Sequence, residues 1–162
     1  MATIFKLVET EDDIRITVAI AEETWTEYYT PIIGKEQVDY MLKTYQSEEA
    51  IKKQITNEGY RYYLIELNGT PAGYFGIKDE GTYLFLSKLY VMREFRKHKL
   101  ASNALVFIKT LTRKKSVRLT VNKNNTASIN VYHHWGFKEI DTIVTNIGHG
   151  FVMDDYIMEL PL

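Results

Sequence analysis

The feature that most constrains the fold is a long aromatic and β-branched segment, YRYYLIEL, at residues 60–67. This composition is typical of a strand. The Asn68-Gly69 pair that follows favours a two-residue hairpin turn, because both residues tolerate positive φ. We therefore expect residues 72–78 to return as an antiparallel partner. A second turn at 79–81 then leads into a longer strand over 83–91, so the centre of the chain is predicted to be a three-stranded meander.

The first helix is predicted from its start signal. Thr10, followed three residues later by Asp13, forms a capping-box pattern. Apolar residues then recur at helical spacing and define one buried face: Ile14, Val18, Ala21 and Trp25. Pro31 and Gly34 are expected to break this helix.

Two other segments precede the meander. Residues 4–8 are predicted to form a first strand. A second helical region follows the first helix in two pieces, and Ser47 is expected to cap the piece over 48–56.

Two strand–helix units follow the meander. Helices are expected over 100–112 and over 126–135, the latter closed by Gly136 in a left-handed conformation. A short strand at 117–121 lies between them. The chain is predicted to end with a pair of strands at 137–144 and 151–160.

This element order, β-α-α-β-β-β-α-β-α-β-β, predicts one α/β (α+β) domain over residues 1–162. We expect a mixed central sheet of about seven strands with helices on both faces. Because a helix joins the strands at 83–91 and 117–121, these two should be parallel. A chain of 162 residues fits a single domain.

Composition excludes several classes of function. The chain has no cysteine, which removes disulfides, thiol nucleophiles and thiolate metal ligands. Its four histidines show no zinc spacing, and no metal is expected. A net charge of −1 gives no strong attraction to nucleic acid or a membrane surface. Without a signal-peptide core or a long apolar run, the expected location is the cytoplasm.

A basic run, RKHK at 96–99, leads directly into the helix predicted from Leu100. Cations in a first helical turn are unfavourable unless an anion binds there. The run is therefore either a solvated loop or a phosphate site at a helix N-terminus. A nucleic-acid surface formed with TRKK at 112–115 is a third interpretation, against which the near-zero net charge argues.

Around this run, LYVMREFRKHKLASNALV resembles the acyl-CoA-binding segment of the GNAT superfamily of N-acetyltransferases. The family pattern there is Arg/Gln-x-x-Gly-x-Gly/Ala. Arg96 matches its first position and Ala101 its last. Lys99 stands at the middle glycine, and Lys97 stands where many members carry another glycine.

A second segment, VNKNNTASINVYHHWGF, resembles the GNAT pattern Asn-x-x-Ala-x-x-x-Tyr-x-x-x-Gly-Phe. Asn125, Tyr132, Gly136 and Phe137 match, and Ser128 replaces the alanine. Two further segments, GFVMDDYIMEL and TWTEYY, are similar to bacterial members near the spermidine/spermine acetyltransferases.

The resemblance implies a fold in which the fourth and fifth strands splay apart and the pantetheine arm of acetyl-CoA lies between them. It implies direct attack of a primary amine on the thioester, with Tyr132 as general acid for the departing CoA thiolate. It also implies a set of residues that bind acetyl-CoA: Leu89, Tyr90, Val91, Arg96, Lys97, His98, Lys99, Leu100, Ala101, Ser102, Asn125 and Ser128. The acceptor pocket is expected to be lined by Trp25, Tyr28, Tyr29 and Tyr74. The acceptor is a small-molecule or protein amine, and a homodimer is compatible with this reading.

Two points stay open at this level. Many family members carry a glutamate on the fourth strand as base, whereas this chain has Ser87 and Lys88 there. Carboxylates elsewhere are the candidates to replace it: Glu23, Glu27, Asp79, Glu80 and Asp154. The alternative function is a catalytically weak acyl-CoA-binding sensor or interaction protein of the same fold, suggested by the missing glycines and the missing carboxylate.

Overall fold

The computed structural model describes residues 2–162, which form a seven-stranded mixed sheet with helices on both faces, as predicted. The strands are β1 Thr3–Leu7, β2 Tyr60–Leu67, β3 Thr70–Asp79, β4 Leu84–Val91, β5 Ser116–Asn122, β6 Lys138–Gly148 and β7 Phe151–Pro161. The helices are α1 Glu11–Ile33, α2 Lys35–Tyr45, α3 Glu48–Asn57, α4 Leu100–Thr110 and α5 Thr126–His134. A single 3₁₀ turn, Arg93–Phe95, joins β4 to the basic run.

The strands lie in the order β1-β2-β3-β4-β5-β7-β6. The meander prediction is confirmed, and the turn between β2 and β3 has positive φ at both Asn68 (52°) and Gly69 (81°). Strands β4 and β5 are parallel, as predicted, with pairs at Leu84–Val117 and Phe85–Arg118. Beyond these pairs the two strands diverge, which opens a gap in the middle of the sheet.

A β-bulge in β4 changes which side chains face each side of the sheet. Lys88 pairs with Gly76, but Leu86 pairs with Ile77, so Ser87 is an extra residue. An extra residue shifts the alternation of side chains along a strand. As a result, even positions before the bulge and odd positions after it pack into the same core: Leu84, Leu86, Leu89 and Val91. The side chain of Lys88 therefore lies on the opposite face of the sheet.

Two hydrophobic cores hold the helices against the sheet. On one face, α1, α2 and α3 cover a core that includes Trp25, Tyr62 and Tyr74. On the other face, α4 and α5 cover a core that includes Phe75 and Ile108. The helices are therefore distributed over both faces, as the element order predicted.

The helix starts are largely as the sequence indicated. Thr10 and Asp13 form a reciprocal capping box at the start of α1. The Ser47 side chain accepts a hydrogen bond of 3.1 Å from the Ala50 backbone N–H at the start of α3.

Within residues 2–162, no helix combines the length and the apolar character that a membrane crossing requires.

The expectation that Pro31 breaks the first helix is wrong. Helix α1 continues through Pro31 to Ile33 and ends at Gly34, which has a φ of 84°. Pro31 lies in the last turn, so its missing N–H removes only one helical hydrogen bond. The backbone N–H of Gly34 still reaches the Thr30 carbonyl at 3.0 Å.

Candidate active site

A cavity of about 480 Å³ occupies the gap between β4 and β5. Its walls come from both strands, the start of α4, one side of α5 and the C-terminal part of α1. The structure brings together on this wall the following residues predicted from sequence: Tyr28, Tyr29, Leu89, Tyr90, Val91, Arg96, Lys97, Lys99, Leu100, Ala101, Ser102, Asn125, Ser128 and Tyr132. His98 is exposed on the same loop and lies outside the wall.

The basic loop keeps a glycine-like backbone although it has no glycine. Lys97 and Lys99 both adopt the left-handed region, with φ values of 68° and 58°. Holding a non-glycine residue in this region costs about 1–3 kcal/mol. Lys97 and Lys99 therefore hold a backbone conformation that favours glycine, at some cost in stability.

The loop ends on the free N-terminus of α4. Lys99 occupies the N-cap position and makes no side-chain cap hydrogen bond. In the described part of the chain, the backbone N–H groups of residues 97–102 have no protein acceptor. Unpaired N–H groups at a helix start, together with the helix dipole, form a site for an anion such as phosphate.

The side chain of Arg96 fixes this loop to α1. Its guanidinium contacts the Glu27 carboxylate with N–O distances of 2.5 and 3.1 Å, and its Nε donates to the Val91 carbonyl at 3.2 Å. It also lies over the Tyr28 ring, 4.6 Å from the centroid. Hydrogen bonding from Arg96, and then from Arg93, lowers the pKa of Glu27. Glu27 is thus engaged as an ion-pair partner and is poorly suited to be a base.

Asn125 begins the helix that carries Tyr132. Its side-chain oxygen accepts a hydrogen bond of 3.3 Å from the Ser128 backbone N–H, which caps α5. Asn125 is buried, and both residues line the cavity.

Tyr132 projects from α5 into the cavity wall and packs against Trp135 and Phe137. Burial raises the pKa of Tyr132 well above its ordinary value, with a further increase from Tyr29 and Tyr28. The phenol is therefore fully protonated at neutral pH and can act as a hydrogen-bond or proton donor within the cavity.

A second cavity of about 280 Å³ adjoins the first. The residues that line both cavities lie on α1, β4 and β5: Tyr29, Ser87, Lys88, Tyr90, Thr120 and Val121. Trp25 lines the second cavity alone, and Tyr28 lines the first alone. Tyr74 lines neither, because it is fully buried and donates a 2.7 Å hydrogen bond to Gln46.

Two ionisable residues on the second cavity, the half-buried Lys88 and the buried Asp155, were not predicted as site residues from the sequence. Burial lowers the pKa of Lys88 to about 8. Burial, together with the neighbouring Asp154 charge, raises the pKa of Asp155 to about 6. The candidate base Asp154 is exposed and forms an ion pair of 2.9 Å with Lys123. The sequence contained one signal for the position of Asp155. Apolar residues at 156, 158 and 160 indicate one buried face of the strand, and strand alternation then places Asp155 on the other face of the sheet.

Among residues 2–162, no group of three potential metal ligands is close enough to hold a metal ion.

Comparisons with known proteins agree with this architecture. A family model described as "Acetyltransferase (GNAT) domain" matches residues 29–160. A curated spermidine N(1)-acetyltransferase of Thermoplasma acidophilum is 23% identical over 150 residues, which cover 88% of this chain and 91% of the relative.

Solved structures show the same fold at low identity. The PaiA N-acetyltransferase of Thermoplasma acidophilum, solved in complex with coenzyme A, is 20% identical with a TM-score of 0.83 over 100% of both chains. The ribosomal-protein-S18-alanine N-acetyltransferase of Escherichia coli is 18% identical with a TM-score of 0.69, covering 99% of this chain and 94% of that one.

Proposed function

The chain belongs to the GNAT family of acetyltransferases, and from this premise we propose that it moves the acetyl group of acetyl-CoA to a primary amine. The observation that carries the proposal is the cavity between the diverging strands β4 and β5. This cavity has unpaired backbone donors of residues 97–102 at one end and Tyr132 on its wall.

In this proposal acetyl-CoA lies across the gap. The backbone N–H groups of residues 97–102 bind its pyrophosphate, and Lys97 and Lys99 add positive charge. The pantetheine arm runs along β4, where the backbone groups of Leu89 to Val91 have lost their strand partner on the β5 side. A backbone N–H aimed at the thioester oxygen stabilises the developing charge by about 3 kcal/mol.

Tyr132 is the proposed general acid. The amine attacks the carbonyl carbon, the C–S bond breaks, and the leaving thiolate takes the phenolic proton. An ordinary tyrosine is a weaker acid than a thiol by about 1.5 pKa units. The same burial that raises the pKa of Tyr132 also makes a thiolate in the cavity more basic, which keeps the two groups matched.

The acceptor amine is proposed to enter through the second cavity. Its wall is rich in aromatic rings, which favour cations, and it meets the first cavity at Thr120 and Val121. The curated relative named as a spermidine N(1)-acetyltransferase makes a polyamine the first acceptor to test. An amino sugar, a free amino acid and a peptide N-terminus complete the panel.

The test combines binding and turnover. Calorimetry measures acetyl-CoA affinity, and a thiol reagent detects CoA release with spermidine, glucosamine, alanine and an alanyl peptide. Because the chain has no cysteine, the protein contributes no background to the thiol signal. Binding without release for any amine would favour the sensor alternative. No binding at millimolar acetyl-CoA would contradict the proposal altogether.

A substitution tests the general acid. We expect Tyr132→Phe to reduce kcat by about 10²-fold or more while the Kd for acetyl-CoA stays within about threefold. Tyr83→Phe is the matched control, because Tyr83 lies outside both cavity walls. Equal turnover by wild type and Tyr132→Phe would show that this phenol only packs.

A further inference from the structure

Asp155 on β7 is a buried carboxylate without a full set of partners. Only 6% of its surface is exposed, yet it lines the second cavity. Within the described residues its Oδ1 has no hydrogen-bond donor. A buried charged oxygen without a donor is unfavourable. A ligand that brings N–H groups into the cavity would supply what this oxygen lacks.

The position of Asp155 in the sheet brings it to the gap. It pairs with Asn122, the last residue of β5, which also lines the second cavity. The two residues before Asn122, Thr120 and Val121, line both cavities. A group bound at Asp155 therefore lies beside the part of β5 that forms a wall of both cavities.

The charges around Asp155 leave it free to receive a cation. Burial, followed by the neighbouring Asp154, raises the pKa of Asp155 to about 6, and Lys123 opposes this shift. The Lys123 ammonium itself is held by Asp154 at 2.9 Å. The carboxyl is thus mostly ionised at neutral pH, yet it is a stronger base than an ordinary aspartate.

Other ionisable groups face the same cavity from α1, α2, β2 and β4, and Glu58 faces it from the residue that follows α3. Lys88 on β4 is held by the Ser87 hydroxyl and lies over the Tyr60 and Tyr62 rings, and the charge that acts on it is Glu58. The remaining titratable wall residues are phenols: Tyr29, Tyr45, Tyr60 and Tyr90. On the β6 side, Asp155 is paired with Ile143, which carries no charge.

We propose that Asp155 accepts a proton from the acceptor's ammonium group in the second cavity and so acts as the general base of the transfer. This inference rests on the proposed acetyltransferase function. In this role Asp155 provides the carboxylate base that β4 lacks, since Ser87 and Lys88 stand there.

An N–H proton of the ammonium moves to Oδ1 of Asp155, which frees the nitrogen lone pair. The nitrogen attacks the thioester carbon, a C–N bond forms, and the C–S bond breaks. The thiolate takes the Tyr132 proton, and the second proton of the nitrogen restores Tyr132. Asp155 releases its proton to solvent when the amide leaves, so one proton is liberated per turnover.

The experiment measures kcat/KM between pH 5 and 9.5 with the most active amine of the panel. For the wild type we expect a rise up to a pH of about 6, where Asp155 ionises, and then a plateau up to a pH of about 8, where Lys88 on the same cavity wall loses its charge. Asp155→Asn can use only amine that is already neutral in solution. Its kcat/KM should be about 100-fold lower at pH 7 and should rise roughly tenfold per pH unit between pH 5 and 8, below the pKa of Lys88.

Asp154→Asn is the matched control, because it removes the adjacent, exposed carboxylate. It should keep the plateau and stay within about threefold of the wild type in kcat/KM. Unchanged acetyl-CoA affinity and circular dichroism in Asp155→Asn would show that the variant is folded. An Asp155→Asn enzyme with wild-type rates and the wild-type plateau would overturn the role of Asp155 alone. A wild type that releases no CoA with any amine would overturn the proposed function and this inference with it.

Discussion

The ionisation of Asp155 should make the free energy of unfolding depend on pH, whether or not the protein is active. Its pKa is raised by burial from 3.8 to about 6 in the folded protein. Between these values the folded state holds more protons than the unfolded state, so stability falls as the pH rises from about 4 to 6 and is constant above. Each pKa unit corresponds to about 1.4 kcal/mol, so the penalty is about 3 kcal/mol at pH 8 and about 0.6 kcal/mol at pH 4.

Asp155→Asn removes this penalty because the amide has nearly the same shape and no charge. We expect the variant to be more stable than the wild type by about 2–3 kcal/mol at pH 8, with the difference shrinking to below about 1 kcal/mol at pH 4. Urea unfolding at several pH values measures this, with the m-value checked for constancy.

Asp154→Asn again serves as the comparison. Its exposed pair with Lys123 is worth at most about 1 kcal/mol, and the loss of this pair is partly offset because the Asp154 charge no longer raises the pKa of Asp155. The stability of this variant at pH 8 should therefore differ from that of the wild type by no more than about 1 kcal/mol. If Asp155→Asn were no more stable than the wild type at pH 8, the carboxylate would not be paying a burial penalty. That result would show that Asp155 has a compensating partner in the folded protein.

Two further predictions concern the backbone around the first cavity. Gly73→Ala should destabilise the protein by about 1–3 kcal/mol and weaken acetyl-CoA binding, because a Cβ there would lie 2.3 Å from the Tyr90 carbonyl oxygen on β4. Gly76→Ala is its control, since the nearest atoms lie 3.5 Å away on a side chain; equal urea midpoints for both variants would contradict this reading. Lys99→Gly should stabilise the protein by up to about 1 kcal/mol, because relief of the left-handed conformation outweighs the added freedom of the unfolded chain. His98→Gly is the control, because His98 has no positive φ, and this variant should be less stable than the wild type. If Lys99→Gly lost as much stability as His98→Gly, the backbone at Lys99 would not be strained.

The sequence predicted those parts of the fold that depend on neighbouring residues. The β2–β3 hairpin follows from Asn68-Gly69, and the helix caps follow from Thr10 with Asp13 and from Ser47. These features are short-range because turn φ values and cap hydrogen bonds involve residues a few positions apart. The same short-range rules predicted the C-terminal end of α1 wrongly, because Pro31 lies inside this helix rather than after it.

The two segments that resemble GNAT motifs contain most of the residues that line the first cavity. Motif spacing fixes which residues follow a strand and begin a helix, and the sheet then brings the loop at 97–102 and Tyr132 to one gap. It could not show what each side chain contacts. Arg96 pairs with Glu27, which is 69 positions away in the chain, so its engagement depends on how α1 packs.

What the sequence alone determined, then, is the order of elements, their turns and caps, and the segments that surround the gap. Only the tertiary structure decided that β7 inserts between β5 and β6, which places Asp155 beside the end of β5. It also decided that this carboxylate is buried at the second cavity while Asp154 is exposed. The physical reason is that burial and charge pairing are sums over residues distant in sequence, and a one-residue difference in strand register reverses them.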